Sequence, residues 1–281
     1  MIWFLIILPN LPVMPVHLSA QIIKPTKKRF YEIDYLVTGH AHAIHNEFGR
    51  LMHEDIYQAE LARRCIADGL PTLREVQLLL AHEMFQKPYY IDLLVDSSVP
   101  VETKTNEGLV PANRAQALNY LYLADLNHGT LLNLRPIIVE HEFVSTSLTA
   151  EARRRYILRE DSFTILCPEM RQARERLIHL LNDWGTHLEV AAYREALGYF
   201  LCPSAPDKSV VEIYSEGGPI GKQPALMLTP DILLSVSASR LPLKQMQSHL
   251  LRFLSHTRLR AMLWINFNRS RITLTTLSAK P

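Results

Sequence analysis

The stretch YYIDLLVDSSVPVETKT, Tyr89 to Thr105, decides the fold. Two short apolar or β-branched runs flank a polar turn at Asp96-Ser97-Ser98, the pattern of a β-hairpin. Successive strand residues face opposite sides, so Glu102 and Lys104 share one face while Val101, Thr103 and Thr105 share the other. With the turn symmetric about Ser97, Asp92 falls opposite Glu102. Opposed Cβ atoms sit about 5 Å apart, and two like charges there repel unless something positive lies between them. A divalent cation with Lys104 beside it meets that need. A competing reading makes Asp92 a charge guarding an edge strand and Glu102 with Lys104 a solvated surface pair. The choice hangs on register, because a slip of one residue moves every side chain to the other face.

The 281 residues are 48% hydrophobic and 21% charged, which suits one large globular domain or two of about 140 residues. The net charge of +2 neither demands nor excludes nucleic acid, whose binders more often carry a basic excess. Cys65, Cys167 and Cys202 are odd in number and form no CxxC pair. They read as reduced core thiols of a cytoplasmic protein, with no zinc site. The opening MIWFLIILPNLPVMPVHLSAQII has no Lys or Arg before Lys24. Pro9, Pro12 and Pro15 would break a spanning helix, and the positive start of a secretory signal is missing. Residues 1–29 therefore read as an apolar tail, disordered or upstream of a true start such as Met14, and no membrane partner is expected.

The chain also repeats itself. HNEFGRLMHEDIYQAEL (His45–Leu61) aligns without a gap to LNDWGTHLEVAAYREAL (Leu181–Leu197), matching Gly49 to Gly185 and Tyr57 to Tyr193. Further on, YIDLLV is echoed by TPDILLSV, setting Asp92 against Asp231. ALNYLYLADLNHGTLLNL is echoed by LLRFLSHTRLRAMLWINF, setting Tyr120 against Phe253 and Asn133 against Asn266. Each half reads as a helix after a glycine, a hairpin, a second helix and a final apolar strand. The first unit spans 30–148 and the second 156–279, with the polar seam STSLTAEARRR (Ser145–Arg155) between them. On this alignment the second unit lacks Glu-x-Lys, has a shorter hairpin-to-helix connection, and keeps only packing residues.

With Asp92, Glu102-Thr103-Lys104 and the following helix in hand, the first half resembles the PD-(D/E)XK nuclease superfamily, and within it the GxxExxY family, over roughly residues 30 to 145. Glu54 and Tyr57 match the family's Glu-x-x-Tyr, with Leu51 at its glycine position. IDLLV and VETK match its metal hairpin, AQALNYL its second helix with Gln116 and Tyr120, and LLNL its last strand. The resemblance implies an α/β fold with a restriction-endonuclease-like core, a mixed sheet flanked by helices, in two tandem units. It also implies metal-dependent phosphodiester hydrolysis in nucleic acid, DNA ahead of RNA. Asp92, Glu102 and Thr103 would hold Mg²⁺ or Mn²⁺, with Glu54 as an outer or third carboxylate. Lys104 would orient water or stabilise the pentacovalent state, and Gln116, Tyr120 and Tyr57 would position the substrate. The alternative is a binding or assembly module that keeps the fold without turnover. A chain holding two packed units would act as a monomer, the second unit standing in for a dimer partner, or would belong to an oligomer whose size the sequence leaves open.

Other patterns are weaker. His40, His42 and His45 in HAHAIH lack a companion Cys or acid at zinc spacing. GGPIGKQ (Gly217–Gln223) lacks the Ser or Thr of a phosphate loop and reads as a hairpin turn. The basic run EARRRYILRE reads as a solvated helix face.

Overall fold

The computed structural model describes residues 15–202, 210–239 and 241–279. In chain order the first half runs β1 (Val16–Leu18), α1 (Lys27–Phe48), α2 (Glu54–Ala67), β2 (Thr72–His82), β3 (Phe85–Val95), β4 (Val99–Lys104), α3 (Pro111–Leu123), β5 (His128–Asn133) and β6 (Glu140–Ser145). The strands form one sheet in sequence order. Only β4 and β5 are parallel, a pairing that needs a crossover, and α3 supplies it.

Local chemistry sets these elements. The Thr26 side chain accepts from the Arg29 N–H at 3.2 Å and starts α1, and Gly49 stops it with φ of 72°, a left-handed cap that favours glycine. Phe30, Ile33, Val37, Ala41 and Ile44 recur every three or four residues and bury one stripe. That stripe and Tyr57, Leu61 and Cys65 of α2 pack on Leu93, Val95, Val99 and Val101. On the opposite face Ala117 and Leu121 of α3 pack on Leu131 and Val144. The result is a mixed sheet flanked by helices. Two helices, α1 and α2, precede the hairpin in the first half, where the repeat alone suggested one.

The second half runs α4 (Ala150–Arg154), β7 (Ile157–Ser162), α5 (Pro168–Trp184), α6 (Val190–Leu201), β8 (Val210–Ser215), β9 (Gly218–Pro224), β10 (Leu226–Thr229), β11 (Ile232–Ser237), α7 (Leu243–Ser255), β12 (Ala261–Asn268) and β13 (Arg271–Ser278). Its five-stranded sheet has the order β10-β11-β12-β13-β7, and β8 with β9 forms a separate hairpin that contains GGPIGKQ. Again one crossover helix, α7, joins a parallel pair, β11 and β12.

The registers of the two sheets coincide at a constant offset. Leu93 pairs with Val101 and Leu226 with Leu234. Val101 pairs with Thr130 and Leu234 with Leu263, while Lys104 pairs with Asn133 and Ser237 with Asn266. Asn133 pairs with Glu140 and Asn266 with Thr273. This corrects the strand alignment read from sequence. Ala225, not Asp231, takes the place of Asp92, and Ser235 and Ser237 take those of Glu102 and Lys104. Asp231 lies in the turn before β11. The connection to the following helix is not shortened, since Gln116 and His249 keep the same offset. Apolar ILL and LLV runs are interchangeable between adjacent strands of a hairpin, so similarity by itself placed one strand against its neighbour.

Two further expectations need correction. The tail expected over 1–29 is folded where it is described: Val16–Leu18 pairs with β2, and the Ile23 N–H donates to the Ser97 carbonyl at 2.7 Å. Val16, Ala20 and Ile22 have apolar core to cover, which holds the segment down. Met14 and the residues before it lie outside the described residues. The basic run, expected as a solvated helix face, is the second. Arg153 in the basic run is 1% exposed, and its guanidinium donates to the carbonyls of Trp184 at 3.0 Å and Tyr122 at 3.1 Å. It clamps the two halves instead of facing solvent. One apolar core joins them as well: Leu78, Leu80 and Phe85 pack with Leu177, Trp184 and Ala196, and these with Leu234 and Leu263. Among the described residues no helix is long and apolar enough to cross a membrane.

Candidate active site

Strands β3 and β4 pair only from Leu93–Val101 to Val95–Val99. Asp92 and Glu102 occupy the next position out, where the strands part, in the register expected from a turn centred on Ser97. On the other side of Asp92 the β2–β3 ladder skips one pair, and Glu75, opposite it, is left-handed with φ of 51°. Both ladders thus let go at Asp92, as strand irregularities beside functional sites commonly do. Its carboxylate turns to the neighbouring strand instead. Asp92 Oδ2 accepts from the Thr103 N–H at 2.8 Å and the Thr103 hydroxyl at 3.0 Å.

Glu102 is 2% exposed. Its Oε1 accepts from Lys104 Nζ at 2.6 Å, while its Oε2 is buried without a hydrogen-bond partner. Burial, and then the charge of Asp92, push the Glu102 carboxyl up to about 8, against the pull of Lys104. Burial pulls the Lys104 ammonium down, but Glu102, Asp92 and Glu54 outweigh it and leave its pKa raised. Glu54, the first residue of α2, is half-buried, and that burial raises its carboxyl despite Lys104. Its Oε2 lies 3.5 Å from the Thr105 hydroxyl. Three acids thus converge electrostatically on one lysine.

The donor set fits a hard divalent cation, since it is all oxygen and includes a buried carboxylate oxygen with nothing to bind. Among the described residues no three His, Cys, Asp or Glu side chains converge closely enough to hold a metal alone. A cation here would rest on two carboxylates and complete its shell with water and phosphate oxygens, as Mg²⁺ commonly does. The Thr103 hydroxyl is already engaged, donating to Asp92 and accepting from Gln58 Nε2 at 3.0 Å. Any share of Thr103 in a cation shell falls to its carbonyl.

The other expected residues divide. Gln116 Nε2 donates to the Tyr120 hydroxyl at 2.9 Å, and burial followed by the charge of Glu102 raises the Tyr120 pKa. Tyr120 and Glu102 line one cavity of about 10 Å³, close to what a single water needs. Tyr120 does reach the acids, with Gln116 bonded to it. Tyr57 does not. It is fully buried, donates to the Gly49 carbonyl at 2.7 Å and accepts from the Met52 N–H at 3.2 Å. Its hydroxyl is spent on the α1–α2 loop, which corrects its expected place among the positioning residues. The histidines of HAHAIH go separate ways: His40 meets Asp68 at 3.0 Å, and His45 meets the Pro136 carbonyl at 2.9 Å.

Gln58 was missed from sequence, although Glu54 and Gln58 are i, i+4 on one helix face. That spacing was the available signal. Buried Asp34, bonded by Thr130 and by His141 at 3.0 Å, was also missed, and no sequence motif marks it.

Neither the curated proteins nor the solved structures yield a match to this chain. A family model described as the PD-(D/E)XK nuclease superfamily matches residues 31–144, less than half of the chain but the part that carries Glu54, Asp92, Glu102, Lys104, Gln116 and Tyr120. By fold and by family model, the segment that holds the acids and Lys104 is similar to the PD-(D/E)XK nuclease superfamily.

Proposed function

We propose that the first half is a divalent-metal-dependent nuclease that hydrolyses phosphodiester bonds in nucleic acid, with DNA as the first substrate to test. Glu102 Oε2 carries this reading. A buried, unpartnered carboxylate oxygen beside a second carboxylate is costly, by several kcal/mol per ion before compensation. A cation supplies that compensation. Asp92 and Glu102 would hold Mg²⁺ or Mn²⁺, helped by the Thr103 carbonyl. When bound, the ion would offset charge on phosphoryl oxygens and acidify a water.

The chain's own groups then divide the remaining work. Lys104, raised in pKa and tethered by Glu102, keeps a fixed positive charge for the anionic transition state. Gln116 holds the Tyr120 hydroxyl beside Glu102, where the two can orient water. Glu54 adds an outer carboxylate, and Gln58 fixes the Thr103 rotamer that holds Asp92 in place.

Finer family placement follows the same residues. Glu54 and Tyr57 support the GxxExxY family, with the glycine function met by Gly49, whose carbonyl Tyr57 seals. A tandem duplication is supported by equal registers in the two sheets and by paired hydrogen bonds. Asn133 Oδ1 accepts from the Asn106 N–H at 3.1 Å, and Asn266 Oδ1 from the Ser239 N–H at 3.0 Å. The second copy then lost its acids to Ala225 and Ser235.

Labelled single- and double-stranded DNA and RNA, incubated with Mg²⁺ or Mn²⁺ and with the Lys104→Ala and Asp92→Asn variants, test the proposal. Cleavage that needs metal and disappears in both variants supports it. No cleavage of any substrate by a folded, metal-loaded wild type would leave a binding module that kept the fold.

A further inference from the structure

The second half holds a cleft of about 680 Å³ where the first half has a gap of about 10 Å³. The two are positional counterparts. Pro100, Val101, Glu102, Ala117 and Tyr120 line the small one, and Leu233, Leu234, Ser235, Leu250 and Phe253, at the shared offset, line the large one. Ala225 and Ser235 stand at the positions of Asp92 and Glu102, so the cleft lacks both carboxylates of the acid site.

Its electrostatics changed sign. Arg194 stands on α6 where α2 carries Gln58, the residue that braces the acid site. Arg194 is exposed at the cleft and has no hydrogen-bond or ion-pair partner among the described residues. The adjacent Glu195 also lines the cleft, but its carboxylate is held by Lys87 Nζ at 2.8 and 2.9 Å. His249 takes the place of Gln116 at the rim. Beneath them Leu226, Met262 and Phe253 make an apolar floor, and the Ser235 hydroxyl has no hydrogen-bond partner among the described residues. A volume of several hundred Å³ with apolar walls and a few convergent polar groups is typical of a small-molecule site.

We infer that this cleft binds a nucleotide without cleaving it, the base on the Phe253 floor and the phosphate at Arg194 and His249. Arg favours phosphate because its planar fork matches the oxyanion geometry, and a flat base stacks on an aromatic ring without regard to its identity. A purely apolar ligand would leave Arg194 and Ser235 unused. Choosing a nucleotide over another aromatic anion rests on the nuclease reading of the first half, whereas the preference for an aromatic anion rests on the cleft alone.

Calorimetric titration of the full chain with dAMP, in EDTA so that no cleavage occurs, tests the inference. Wild type and Asp92→Asn should bind alike, Arg194→Ala should bind at least about tenfold more weakly, and adenosine should lose as much for want of the phosphate. Ser235→Leu, which refills the cleft, should abolish binding. Arg194→Ala changes an exposed side chain, so it remains informative if Ser235→Leu fails to fold. Absence of dAMP binding, equal binding in Arg194→Ala, or equal affinity for adenosine would each overturn the inference. Arg194-dependent binding in a protein that cleaves nothing would sink the nuclease reading alone, and cleavage without such binding would sink this one alone.

Discussion

The Tyr57 hydroxyl donates to the carbonyl of Gly49 at 2.7 Å, and the same bond recurs between Tyr193 and Gly185 at 2.6 Å. Each glycine ends one helix and each tyrosine sits one turn into the next, so the bond fixes the angle of a helix pair against its sheet. Glu54 and Gln58 reach the acid site from the first such pair. Replacing Tyr193 with Phe leaves the buried Gly185 carbonyl short of a donor and should cost about 1–2 kcal/mol in chemical denaturation. Tyr57→Phe should cost less, because Gly49 is exposed and water can replace the donor. Cleavage by Tyr57→Phe should persist once corrected for the folded fraction. Lost turnover in a fully folded Tyr57→Phe protein would return Tyr57 to the reacting centre.

The two glycines should differ sharply in tolerance. Both are left-handed, at φ of 72° and 74°, so alanine at either is strained by about 1–2 kcal/mol. At Gly49 an added Cβ meets nothing within 4 Å, whereas at Gly185 it would lie 2.8 Å from the Arg153 backbone carbon and 2.9 Å from its carbonyl oxygen. Backbone cannot swing aside as a side-chain tip can. Gly49→Ala should therefore lower the urea midpoint modestly, and Gly185→Ala should cost at least about 3 kcal/mol or prevent folding. Equal costs at the two sites would show that the Arg153 clamp yields.

How much of this was legible in the sequence depended on whether a feature is local. The hairpin register followed from an odd-numbered polar turn, and Asp92 came to stand level with Glu102 as that symmetry requires. Gly49 and Gly185 were read as leading into a helix, and that each also ends the helix before it was not legible. Strand-to-strand equivalence across the halves was not legible either, because the apolar runs of β3, β4 and β11 look alike and only hydrogen-bond partners tell them apart. Tyr57 was misplaced for a related reason. A motif tells which residues recur but not where a hydroxyl points, and burial sent this one to a loop carbonyl. Arg153 was unreadable because a cation in a basic run is nearly always solvated, and its burial depends on carbonyls from Tyr122 and Trp184 that no local pattern brings together.

Metal loading should be visible without any substrate. A cation that binds only the folded chain raises its stability in proportion to the logarithm of its concentration, so Mg²⁺ should raise the melting temperature of wild type relative to EDTA. The shift should vanish in Asp92→Asn. Glu102→Gln, which takes away the other carboxylate, should abolish both the shift and cleavage. A shift that persists in both variants would mean that the ion binds elsewhere.

His187 supplies a pH dependence remote from the acids. Burial lowers its pKa, and the nearby Arg153 and Arg269 lower it further. An unfolded histidine titrates near about 6.5, so below that pH the unfolded chain binds a proton that the folded chain resists. Stability therefore rises with pH wherever the unfolded chain holds more protons than the native one. The contribution is fully present above about 6.5 and is lost as pH falls from there through the lower folded value. His187 is left-handed, with φ of 73°, a conformation asparagine tolerates better than most residues. His187→Asn should therefore match wild type at pH 8 and lose less melting temperature between pH 7 and pH 5. Parallel melting curves for the two proteins across that range would show that His187 takes up its proton as readily folded as unfolded.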